Sequence, residues 1–82
     1  MNHNRQLMKG RLADLQGHRK TIAKKALNSC RTIMPLINPA LAEVVDMDIA
    51  AAATAMDELV MHQAELLALN TKISQLEEGL YG

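Results

Sequence analysis

The sequence predicts an all-α fold: an antiparallel two-helix hairpin of coiled-coil type that dimerises into a four-helix bundle. Three observations lead there. Apolar residues recur in alternating steps of three and four along two long stretches, which is the pattern of a helical seam. Pro35 and Pro39 interrupt the chain between those stretches. Charge divides at the same place. Residues 1–35 hold eight basic side chains against Asp14 alone, a net +7, and residues 36–82 hold eight acidic ones against Lys72 alone, a net −7. Two halves of opposite sign attract, within one chain or between copies.

The first helix is expected over residues 5–34, with a seam of Met8, Leu12, Leu15, Arg19, Ile22, Ala26, Ser29, Ile33 and Leu36. Arg19 and Ser29 interrupt it with polar groups. The residue before a proline is pushed out of the helical region, so the helix should stop near Met34.

Residues 35–47 form the connector. Asn38 followed by Pro39 reads as a cap with proline at the first helical position, and it predicts a short helical turn over Pro39–Val44. Asp46 or Asp48 then caps the second helix, where a carboxylate suits the positive N-terminal dipole.

The second helix is expected over residues 48–78. Ala50–Ala53 favours helix strongly. Its seam reads Ala52, Ala55, Leu59, His62, Leu66, Leu69, Ile73, Leu76 and Leu80, and Gly79 and Gly82 terminate it. Two long helices on a short connector fold back as a hairpin. Antiparallel pairing sets Leu12 near Ile73, Leu15 near Leu69, Ile22 near His62 and Ala26 near Leu59. It also lays the basic helix along the acidic one, with flanking charges placed for cross-helix pairs.

Near the turn each helix is apolar beyond its seam. Helix 1 adds Ala23, Leu27, Cys30, Met34 and Ile37, and helix 2 adds Ile49, Ala53, Met56, Val60 and Leu67. A hairpin buries one seam per helix and leaves this second stripe exposed, as contact sites are. Leu41, Val44 and Val45 of the connector could fold over it. A second copy is the favoured cover, because an 82-residue chain with no disulfide has a marginal core. The self-association residues are therefore Leu27, Cys30, Met34, Ile37, Ile49, Met56, Val60 and Leu67.

Composition narrows the function. Tyr81 is the only aromatic residue, so the core is aliphatic, Met and Ala. Cys30 is the only cysteine; it reads as a small buried hydrophobe in a reducing cytoplasm. No apolar run is long enough to span a membrane, and no leader pattern opens the chain. His3, His18 and His62 lack ligand spacing, so no metal is expected. No phosphate loop, nucleophile elbow or paired carboxylates are present, so neither a cofactor nor catalysis is expected. His62, in the seam, should have one ring nitrogen satisfied by a neighbour. Arg19 should pair with Glu65, because an unpaired seam charge is costly. Gly10 and Gly17 share the outer face of helix 1.

Lys20, Lys24 and Arg31, with Lys25 at the seam's edge, form a basic stripe able to meet phosphates. The neutral chain, the absence of stacking aromatics and a connector unlike a helix-turn-helix make nucleic acid the alternative rather than the first choice. The first choice is a non-enzymatic protein–protein interaction or accessory protein.

Two resemblances add to this. Met56-Asp57-Glu58-Leu59-Val60, Gln63-Ala64-Glu65-Leu66, Ile73 and the tail Leu76-Glu77-Glu78-Gly79-Leu80-Tyr81-Gly82 resemble small helical proteins of Mu-like bacterial prophages. The resemblance covers about the last third of the chain and implies a cytosolic, phage-encoded accessory protein. Pro39-Ala40-Leu41-Ala42 is similar to the turn of type III secretion needle subunits, which implies a polymerising structural subunit as a further alternative. The chain departs from that family in lacking its N-terminal Trp and its aromatic, Asn-rich second helix.

Overall fold

The computed structural model describes residues 2–82, with side chains from His3 onward. It is a helical hairpin, 63 × 17 × 14 Å, with no strand among the described residues. Helix α1 spans Asn2–Leu36, a short 3-10 turn η1 spans Val44–Asp46, and helix α2 spans Ile49–Tyr81.

The two seams meet along their whole length. Each seam residue from Met8 to Leu36 and from Ala52 to Leu80 is buried or half-buried. Leu12, Ile73 and Leu80 form the tightest cluster, with Met8, Leu15 and Leu76 packed around it. Ile73 is the most enclosed, at 1 % exposed. This cluster sits far from the turn, where Leu and Ile face each other. Nearer the turn the seam alternates small residues, Ala26, Ser29, Ala52 and Ala55, with Ile33, Leu36 and Leu59.

Both helices run past their expected ends. Pro35 lies inside the last turn of α1, which continues to Leu36. Proline forfeits one intrahelical hydrogen bond, but so close to the terminus the packing of half-buried Leu36 outweighs it. At the other end α1 begins at Asn2 rather than near residue 5. There the Arg5 guanidinium donates to the Leu80 carbonyl at 3.1 Å. It supplies the cation that the last turn of α2 lacks in its own sequence. Gly79 does not terminate α2. The helix carries on to Tyr81, because Leu80 is buried against α1, and Gly82 is the cap. A Cβ on Gly79 would come within 2.8 Å of the Met8 methyl, so the glycine gives the facing side chain room.

The connector holds two separate turns in place of the expected helix over Pro39–Val44. In the first, the Asn38 side-chain oxygen accepts from the Ala40 N–H at 2.9 Å, and its carbonyl accepts from the Leu41 N–H at 3.0 Å. The second is η1. Of the two candidate caps Asp48 is the one used: its carboxylate accepts from the Ala51 N–H at 3.0 Å. Asp46 belongs to η1 instead.

Candidate functional site

Lettering each seam as heptad positions a and d puts e and b on one flank of each helix and g on the other. An antiparallel pair then faces e with e and g with g. The contacts follow this. Gln16, Ala23 and Asn70, all at e, line one shallow groove with Arg19, Lys20 and Leu66. Lys25 and Thr32 line the opposite groove with Glu58, all three at g. The hairpin therefore has two unlike edges.

Toward the turn the g edge is polar and the e edge is apolar. Met56, Val60 and Gln63 line the e edge beside Ala26, Leu59 and Leu66. Leu27 lies four residues beyond Ala23, and Leu67 four beyond Gln63, so both extend the same edge. The two stripes that the sequence assigned to separate helices thus merge into one surface. Leu27, Met34, Ile37, Ile49, Met56, Val60 and Leu67 are 44–66 % exposed on it. Cys30 is half-buried between them rather than fully enclosed. The connector does not cover them. Leu41, Val44 and Val45 are themselves exposed, Val45 at 87 %, which removes the first of the two covers considered from sequence.

The charged residues take partners that spacing alone does not predict. Arg19 does not pair with Glu65; its guanidinium donates to Asn70 Oδ1 at 3.0 Å. A helical side chain leans toward its own N-terminus. In an antiparallel pair that direction leads up α2, past Glu65 to Asn70. Glu65 instead lies on the g edge, 3.8 Å from His18 Nε2. That is the only cross-helix ion-pair contact among the described residues. The opposite charges of the two helices therefore act mostly as a field rather than as formed pairs.

Lys20, Lys24 and Arg31 are exposed on one outer side of α1, as expected, and Lys25 stands on the g edge beside Glu58. His62 departs from expectation. Its Nδ1 is buried in the seam without a hydrogen-bond partner. Its neighbours in the groove include Ser29, Ala55 and Glu58. Gly10 and Gly17 have nothing within 4 Å of an added Cβ. No cluster of His, Cys, Asp or Glu suited to a metal occurs among the described residues. No helix there is long and apolar enough to cross a membrane.

Comparison with known proteins finds no matching family model, curated protein or solved structure.

Proposed function

We propose that this protein is a non-enzymatic interaction protein that associates with itself through the apolar e edge at the turn end of its hairpin. The observation that carries this reading is the convergence of large, half-exposed apolar side chains from both helices on that edge. Single exposed hydrophobes are ordinary, but a contiguous apolar surface is the mark of a contact site. Toward the turn its g edge is polar, and the exposed apolar side chains of the outer faces, Leu7 and Met61, stand apart from each other on different helices. In this reading the chain is a small cytoplasmic accessory factor with a further protein partner, phage-encoded as the likeness of its C-terminal third implies. Sedimentation velocity over a wide concentration range tests it. A closed dimer that forms as concentration rises is expected. A monomer at every concentration refutes self-association, and open-ended growth transfers the protein to the polymerising class.

A second reading assigns Lys20, Lys24 and Arg31 to a nucleic-acid phosphate backbone. It is supported by their exposure on one side of α1 with no carboxylate in contact. A gel shift with random duplex DNA at low salt, repeated with Lys20→Glu/Lys24→Glu, decides it. Binding that the substitutions abolish supports the reading, and equal or absent shifts dismiss it.

A further inference from the structure

We propose that the partner on the apolar edge is a second copy in one particular orientation: parallel, with both turns at the same end and each basic α1 lying on the acidic α2 of the other copy. The proposal rests on the self-association reading above and adds the geometry that charge imposes on it.

A two-fold dimer through one face can be built in two ways. If the axis runs along the hairpin, turns coincide and α1 stacks on α2 of the second copy. If the axis lies across the hairpin, turns point oppositely and α1 stacks on α1. The apolar edge occupies only the turn half, so either arrangement must overlap those halves. There α1 carries only basic charge and α2 only acidic charge. Lys25, Glu58 and Glu65 stand on the far g edge, so the charges that flank the apolar edge are Lys20, Lys24 and Arg31 on α1 and Asp57 on α2. The crossed arrangement sets those three cations on their own copies, and the parallel one brings Lys24 and Arg31 to either side of Asp57. Helix axes in such packing lie 8–10 Å apart, about one Debye length in physiological salt, so the difference is felt. None of these charges is neutralised across the hairpin, since the only cross-helix ion-pair contact among the described residues joins Glu65 to His18.

Size complementarity agrees. An axis along the hairpin keeps every residue at its own level, and Leu12 and Ile73 mark one level across the pair. Equal counts toward the turn bring Leu27 within two residues of Val60, and Met34 within two of Ala53. In the second copy those b positions close over each other. The longer Met34 then faces the small Ala53, and Lys20 lays its stem along Leu67, leaving its ammonium in water.

Two single-cysteine proteins test this, Leu27→Cys and Val60→Cys, each also carrying Cys30→Ala. Each is oxidised with diamide alone and then mixed with the other, and run on a non-reducing gel. Covalent dimer in the mixture only is expected, because a disulfide needs Cα atoms within about 7 Å. Covalent dimer in either protein alone puts like helices together and overturns the orientation. No covalent dimer in any sample, nor with Met34→Cys and Ala53→Cys, overturns it too if sedimentation finds dimer. If sedimentation finds monomer throughout, the self-association reading falls with it.

Discussion

Replacing Leu27 separates the fold from the association. This side chain is 55 % exposed in the hairpin. Complete burial of a leucine is worth about 1.5–3 kcal/mol, so covering the remaining half stabilises a dimer by roughly 1–1.5 kcal/mol per copy, or about 2–3 kcal/mol in all. A charged side chain there forfeits that, which weakens the dimer by about 30- to 150-fold. The sign of the charge matters as well. In the parallel dimer position 27 faces the stretch of α2 that carries Asp57, so Leu27→Glu is repelled and Leu27→Lys is attracted. Exposed pairs are worth up to ~1 kcal/mol each, so over two copies the Glu variant dimerises at least several-fold more weakly than the Lys variant. Within one chain the order reverses. Lys24 and Arg31 lie three residues before and four after position 27. A glutamate there gains about 0.2–0.5 kcal/mol per pair, and a lysine loses as much. Sedimentation equilibrium gives the affinities, and thermal melts of dilute monomer give the stabilities. Equal affinities for parent and both variants refute the apolar edge as the contact. A Lys variant that dimerises more weakly than the Glu variant refutes the parallel orientation.

Three other outcomes follow from the packing. Gly10→Ala and Gly17→Ala should each raise stability by about 0.5–1 kcal/mol, seen as a higher melting temperature, because the added methyl meets open space and the unfolded chain loses freedom. Ile73→Ala should cost about 2–5 kcal/mol and abolish most of the helical circular dichroism at 25 °C, since its side chain is enclosed and the hairpin has little reserve. His62→Leu should raise the melting temperature, because it removes a buried ring nitrogen that has no partner, a defect worth roughly 1–3 kcal/mol; a lower value would mean the imidazole holds an interaction the geometry does not contain.

The seam was legible residue by residue because shifting the 3.5 repeat one position onward would bury Lys9, Lys20 and Glu77 and expose Ile22 and Ile73. The apolar edge was half legible. Periodicity placed Leu27 and Met56 on stripes of their own helices, but only the antiparallel pairing puts e against e and joins the stripes. Helix ends were the least legible. Pro35 and Gly79 both carry local signals for termination, and both lie within helices because Leu36 and Leu80 pack against the facing helix. Tertiary contact outweighs a local preference of one residue. The partner of Arg19 was missed for a different reason. Level across the pair indicated Glu65, yet a long side chain reaches along its own helix axis, and Asn70 is what it meets. The signal that could have found it is the lean of helical side chains toward the N-terminus.

The thinness of the core near the turn links the fold to the association. Far from the turn the seam joins Leu12, Ile73 and Leu80. Near it Ile33 is the one large buried side chain, and the other buried positions, Ala52, Ala55 and Ser29, contribute little apolar area. Most of the larger residues of that half, among them Leu27, Met34, Met56 and Val60, stand on the e edge instead. Small seam residues let two helices approach closely and big edge residues give a second pair something to grip. Much of the apolar material of the turn half is thus directed outward rather than into the seam. Whatever covers it contributes to folding as well as to binding, and stability then depends on protein concentration by mass action. A melting temperature that climbs with concentration in the parent, but stays level in Leu27→Glu, is the thermodynamic form of that coupling. A parent melt independent of concentration would mean that the far cluster alone supports the hairpin.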